Sequence, residues 1–248
     1  MNQRILPFLL LAAVVLYAAP GFAAQEYALQ TKPGEIEIGA GYNGKYVTVT
    51  GDIPAGSSAV VRILGERESK QFKKKGQAFG FLWMNLENIT LRDVPDVFLL
   101  ASDRSLYAGG GYEWTKLGLG FGALRGEADD FTFGEFLKLK EQEKLYSIQE
   151  GGFEYAPSAD GPRMFKVTMA IPSSLRQGIY KVEAFGVKDG RVVSRASVDM
   201  EAKLTGFPAL LGDMAFHHSL LYGIFAVVVA ILAGLLMTAV FRDKGGAH

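Results

Sequence analysis

Cysteine is absent from all 248 residues, which removes disulfides, zinc–thiolate sites, iron–sulfur clusters and thiol nucleophiles together. Histidine is nearly as scarce. The three present are His217, His218 and His248, so the first 216 residues cannot hold a histidine-dependent active site. A net charge is also missing: 26 basic side chains balance 26 acidic ones, leaving no overall basic field to attract nucleic acid, and none is expected as a partner. The glycine clusters "YAGGGYEW" (107–114) and "GLGFG" (118–122) lack the GxxxxGK[ST] spacing of a phosphate loop, and the second falls short of a dinucleotide fingerprint; both read as turns. No GxSxG elbow is present. The pair Asp129-Asp130 has acid–base capability in principle, but capping a helix explains it more simply. No catalytic residue, cofactor or metal site is therefore expected, and the sequence points to a protein that is not an enzyme.

What the chain has in quantity is apolar sequence at both ends. Residues 1–23 have the layout of a secretory signal: Arg4, an apolar stretch from Ile5 to about Ala19, then Pro20, with Gly21 and Ala23 as the small residues a peptidase needs. At the other end no charged residue occurs from Ser219 to Phe241, long enough at ~1.5 Å per residue to cross a bilayer. A transmembrane helix is expected over 217–241. Arg242 and Lys244 follow it, whereas no lysine or arginine lies between Leu204 and His218, so the positive-inside bias puts tail 242–248 in the cytoplasm and domain 24–205 in the periplasm. Tyr222 stands where an interfacial aromatic belongs. Within the span, Ala226, Ala230 and Gly234 recur every four residues and form a small-residue stripe for a membrane partner or for self-association. His217 and His218 sit at the outer rim. They read either as rim polarity or as a metal or partner contact, although adjacent helical residues point about 100° apart and do not clasp one ion.

The middle of the chain has the period of two that half-buried strands require. Ile36 and Ile38 alternate with glutamates, "KYVTVTGDI" and "MFKVTMAIP" alternate again, Phe79, Phe81 and Trp83 share one face, and Val94-Pro95 separates two short strands. Asn43-Gly44 and Asp189-Gly190 supply turns that accept positive φ. Together these predict a mainly β protein: an antiparallel sandwich of immunoglobulin-like type, with Tyr180 placed to form a tyrosine corner. A helical insertion is expected at about 103–150, capped by Asp129 or Asp130, with Phe133, Phe136, Leu137 and Ile148 near one face and Lys138, Lys140, Glu141 and Lys144 mostly outward. It reads as a lid over a site or as a cover for an exposed sheet edge.

The one concentrated charge is the loop "KQFKKKG". Arg67, Lys70, Lys73, Lys74 and Lys75 offer a site for an oxyanion or an anionic lipid headgroup, or else form a solvated face.

The segments "IEIGAGYNGKYVTVTGDIP", "FGFLWMN", "DVPDVFLL", "FGEFLKLKEQEKLYS", "MFKVTMAIPSSLRQGIYKVEAFGVKDGRVV" and "FHHSLLYG" resemble a family of transmembrane proteins of alphaproteobacteria and their relatives. The resemblance covers nearly the whole mature chain and is most specific at Trp83-Met84-Asn85 and Leu220-Leu221-Tyr222-Gly223. It implies a bacterial inner-membrane location. It also implies a multi-span partner, because members are often encoded beside permeases similar to TauE/SafE sulfite exporters, and it brings no catalytic residues. The expected role is a non-enzymatic periplasmic accessory subunit of a transporter, with an exporter of sulfite or sulfonates as the candidate the resemblance implies. The alternative is a periplasmic module that binds or senses a small anion.

Overall fold

A computed structural model of the chain describes residues 27–78, 82–108, 111–126, 128–156 and 161–242. The expected signal sequence, Phe79, Phe81, Gly109, Gly110 and the tail beyond Arg242 lie outside the described residues. The strands are β1 (Leu29–Lys32), β2 (Glu35–Ile38), β3 (Lys45–Ile53), β4 (Ser58–Leu64), β5 (Arg67–Ala78), β6 (Leu82–Pro95), β7 (Phe98–Ser102), β8 (Tyr107–Ala108), β9 (Gly111–Tyr112), β10 (Tyr146–Glu150), β11 (Phe153–Tyr155), β12 (Arg163–Ile171), β13 (Gly178–Lys188) and β14 (Arg191–Leu204). The helices are α1 (Glu113–Lys116), α2 (Asp130–Gln142), α3 (Gly206–His217) and α4 (Ser219–Arg242).

Two sheets form the sandwich, ordered β1-β3-β12-β11 and β10-β7-β4-β13-β14-β2. In immunoglobulin notation these are A-B-E-D and C″-C′-C-F-G-A′, the variable-type arrangement. The tyrosine corner is present as well. Tyr180, buried near the start of β13, donates from its hydroxyl to the Arg176 carbonyl at 2.9 Å. The hairpin from β13 to β14 turns at Asp189-Gly190, both at positive φ, the backbone twist that a two-residue loop between twisted strands demands.

The central strands β4, β7 and β13 of the six-stranded sheet are buried on both faces. The sheet's inner residues, among them Val61, Ile63, Leu99, Ala101, Val182 and Met200, meet Val47, Val49, Phe165, Val167 and Met169 of the other sheet. Its outer residues Val60, Phe98, Leu100, Phe185 and Val187 face a second core made with Leu106, Trp114, Leu119, Phe133 and Phe136 of the insertion. Phe98 meets Phe121 edge-on at 5.1 Å, and Tyr146 lies against Phe98, Phe121 and Phe136. The insertion therefore covers a sheet face rather than a sheet edge, because β4, β7 and β13 carry apolar side chains on both sides of the pleat. Asp129 is the residue that caps α2, accepting from the Thr132 N–H at 2.9 Å, while Asp130 pairs with Arg125.

Two expectations for the insertion need correction. The helix ends at Gln142, and Ile148 lies in β10, which pairs parallel with β7; a helical crossover, not a hairpin, joins those strands. Lys140 is turned inward, only 5% exposed, with its ammonium donating to the Asp96 carbonyl at 2.9 Å. "GLGFG" is a turn, as expected, and runs beneath Trp114 into the 3-10 turn Phe121–Leu124.

The lysine segment is likewise not a loop. Gly65 N–H donates to the Val97 carbonyl at 2.9 Å and Asp96 N–H to the Glu66 carbonyl at 2.8 Å, so the ladder of β4 and β7 runs on into β5 and β6. The two form an arm paired from Arg67↔Pro95 to Ala78↔Leu82, with register shifts at Glu68/Lys70 and Lys74/Lys75. The short strand expected before Val94-Pro95 is thus a 14-residue strand. Alternation alone could not reveal its partner.

Candidate functional site

Strand direction defines which end of the sandwich faces the membrane. β14 runs directly into α3 and α4, and α4 contains the one helix segment among the described residues long and apolar enough to cross a bilayer, Ser219–Ala239. The end where β14 finishes therefore also holds the start of β13, the end of β4, the connection from β12 to β13 and the base of the β5–β6 arm.

Three cavities open there. Two of them, of about 160 and 110 Å³, adjoin one another and share Glu68, Asp96 and Arg176. Asp96 arrives on the backbone step between the arm and β7, and its carboxyl rests where a side chain on residue 65 would lie: a Cβ on Gly65 would come within 1.8 Å of Asp96 Oδ1. That oxygen is buried and accepts no hydrogen bond. Burial pushes the Asp96 carboxyl up and Glu68 adds to the rise, while the Val97 N–H, Lys140 and Arg176 oppose it. Arg176 stands 3.9 Å from Glu68. Tyr146 is tied to the neighbouring backbone, its hydroxyl donating to the Pro95 carbonyl at 2.6 Å. Spaces of this size take waters or a small ion rather than an organic substrate. Among the described residues no group of three metal-ligating side chains occurs.

The third cavity is an open groove of about 500 Å³, lined by Asn43, Lys45, Tyr46, Lys144, Ser147 and Ser173 among others. Two lysines and no carboxylate border it, so its field is positive.

A different charge cluster lies under the insertion. Glu183 is 1% exposed and accepts from Arg62 Nε at 2.9 Å and Nη2 at 2.6 Å, and also from Arg195. Burial alone would raise its carboxyl, but hydrogen bonds from Arg195 and Arg62 outweigh that and hold it below its ordinary value. The Arg62 guanidinium lies 5.1 Å from the Phe185 ring centre and 5.9 Å from that of Phe98. Arg62, Glu183 and Arg195 all lie on the six-stranded sheet; Arg62 also donates from Nη1 to the Leu119 carbonyl of the insertion at 3.5 Å, and the network reaches no cavity described above.

The residues singled out from sequence are not brought into one place. Arg67 is tied to Asp93, donating to its carboxylate at 2.7 Å and its carbonyl at 3.0 Å, which fixes the base of the arm. Lys70, Lys73, Lys74 and Lys75 lie farther along β5, opposite Leu91, Asn88, Glu87 and Asn85. His217 ends α3, its Nδ1 3.0 Å from Asp213 Oδ1. His218 breaks the helix at φ −134°, ψ 49°, so the spanning helix begins at Ser219 instead of residue 217. Ala226, Ala230 and Gly234 are exposed along α4. Asp96, Glu68 and Arg176 were missed from sequence, but Lys140 was legible: it falls four residues after Phe136 and seven after Phe133, on the buried face of α2.

These features define a membrane protein with an immunoglobulin-like domain and, among the described residues, one candidate spanning helix. The family described as "Putative transmembrane protein (Alph_Pro_TM)" matches residues 27–243, and the chain belongs to it. No curated protein matches the chain.

Proposed function

We propose that the protein is a non-enzymatic, membrane-anchored accessory subunit that attaches to a multi-span permease, with its folded domain in the periplasm. The observation that carries this reading is the bare spanning helix. From Ser219 to Ala239 every side chain of α4 is exposed, and Ala226, Ala230 and Gly234 along it allow close approach of a second helix. Phe207, Leu210 and Phe216 extend an exposed apolar surface up α3 toward the domain. The charge step at Arg242, with no lysine or arginine between Leu204 and His218, supports the periplasmic side. Sulfite or a sulfonate is the cargo suggested by the resemblance to proteins encoded beside TauE/SafE-type exporters. The confinement of histidine to positions 217, 218 and 248 argues against a histidine-dependent active site in the folded domain.

Affinity purification from native membranes, with quantitative mass spectrometry and an export assay, tests the proposal. Wild type should bring down a multi-span permease, and A230L/G234L should lose it while remaining in the membrane. Unchanged co-purification, or recovery only of further copies of this chain, overturns the permease reading. Turnover of a substrate by the purified protein overturns the non-enzymatic one.

A second reading rests on the groove bordered by Lys45 and Lys144: binding of a small anion within the same domain. Titration of the purified protein with sulfite, sulfate and taurine, followed by calorimetry, should then give saturable binding that is lost in K45A/K144A. Equal heats in wild type and variant exclude the groove.

A further inference from the structure

The lysine-rich arm plays no part in the attachment proposed above, yet the topology aims it at the bilayer. β4 is antiparallel to β13, which is antiparallel to β14; β4 therefore runs in the same direction as the strand that leads into the membrane helix. Two backbone hydrogen bonds, Gly65 N–H to the Val97 carbonyl and Asp96 N–H to the Glu66 carbonyl, carry the β4–β7 ladder into the base of the arm, which is bulged at Glu68/Lys70 and again at Lys74/Lys75. Its base is level with the end of β14, since Leu64 pairs with Lys181 and Lys181 with Asp199, and Arg67 follows three residues later.

Distances along the two routes agree. The 12 residues of α3 separate the domain from the spanning helix by at most about 18 Å. Lys73, Lys74 and Lys75 lie six to eight residues beyond Arg67, or about 20–26 Å. Ala78 and its register partner Leu82 lie about 36 Å out. With α3 upright, the lysines stand at the height of the lipid headgroups, and Gln77↔Trp83 and Gly76↔Met84 stand just beyond. Cations at headgroup level with a tryptophan next to them match the composition of interfacial anchors.

We infer that the β5–β6 arm is a second membrane contact, in which Lys73, Lys74 and Lys75 bind anionic phospholipid headgroups of the leaflet facing the domain, with the Trp83 region seated in the interface. A single helix leaves the domain free to swing; a second contact, carried on a strand two positions away in the sheet and so about 10 Å to the side, restrains its tilt. The inference needs only that α4 spans a bilayer, and holds whichever side the domain occupies and whether or not a permease binds.

Because the chain has no cysteine, single labelling sites can be introduced cleanly. The full-length protein carrying Gln77→Cys, or Lys188→Cys at the opposite end of the sandwich, is spin-labelled and reconstituted into vesicles of phosphatidylcholine alone or with phosphatidylglycerol. Accessibility to oxygen, which partitions into lipid, is compared with accessibility to a water-soluble nickel chelate. With phosphatidylglycerol the oxygen-to-nickel ratio at position 77 should exceed that at 188 several-fold. It should fall toward the position-188 value in K73Q/K74Q/K75Q and at high salt. Water-like accessibility at position 77 in both vesicle types overturns the inference. So does a ratio that the lysine substitutions leave unchanged, or one that rises only when a co-purified membrane protein is added, which would assign the arm to a protein partner. Unaltered circular dichroism of the lysine variant shows that its fold is intact.

Discussion

Glu183 offers the sharpest test of how the insertion is held to the sandwich. Its side chain is 2% exposed and that of its partner Arg62 15%, whereas the Arg195 side chain is 62% exposed. Glu183→Gln removes the negative charge and strands Arg62 between Phe98 and Phe185, a loss of about 3–5 kcal/mol for one partner of a buried pair. At about 2–4 °C per kcal/mol for a domain of this size, the unfolding midpoint should drop by roughly 6–20 °C. Arg195→Ala removes a charge that water already screens and should cost less than about 1 kcal/mol. Replacing both buried partners, R62M/E183L, leaves no orphaned charge and should return close to wild type. The pH dependence follows from the direction of the shift. Because the folded carboxyl is held below its ordinary value of 4.5, the contribution is complete above that value and is lost as pH falls through the lower folded value. The gap between wild type and Glu183→Gln should therefore be widest near pH 7 and narrow below about pH 4.5. Trp114 lies in the same core, so its fluorescence during thermal unfolding of the intact protein in detergent reports the transition. If R62M/E183L is as unstable as Glu183→Gln, an uncompensated charge is not the cause and the reasoning fails.

Tyr180→Phe deletes the corner hydrogen bond to Arg176 and should cost about 0.5–1.5 kcal/mol, read from the urea midpoint with an unchanged slope. Phe98→Ala opens a hole where the sheet meets the insertion, an expected loss of about 3–5 kcal/mol; limited proteolysis should cut first within 103–145. Asp96→Asn should act in the opposite sense to Glu183→Gln. The Asp96 carboxyl is raised by burial and by Glu68, so its protonation favours the folded state, and that favour fades as pH rises through the folded value. The Asn variant should thus be more stable than wild type at pH 7, with the advantage shrinking toward pH 4 in the same thermal assay.

The candidate site was less legible than the sandwich, for a reason visible in individual residues. Lys140 meets Asp96 across 44 positions and Arg62 meets Glu183 across 121, and neither pair has a spacing that sequence periodicity could report. Lys140 did carry a local sign, its place on the buried face of α2, but a lysine on an apolar face reads as an error in helix phase until its acceptor is known. The lysines of β5 appeared as a loop because their strand has no core-facing alternation; its partner is a second strand in a separate two-stranded sheet, anchored in the second core by Leu91 and Val94 near its end.

The sequence by itself determined what depends on near neighbours and on solvent. Alternation of two made the strands of both sheets, Asp189-Gly190 made the turn into β14, Asp129 capped α2, and an uncharged run set the membrane helix, since each reflects local backbone preference or transfer from water. The tertiary structure alone decided that the insertion covers the outer face of the six-stranded sheet, that Glu183 is neutralised beneath it, and that the basic arm and the spanning helix leave the domain from the same end. Those outcomes rest on strand order and on contacts between distant residues, which are fixed only when the whole chain packs at once.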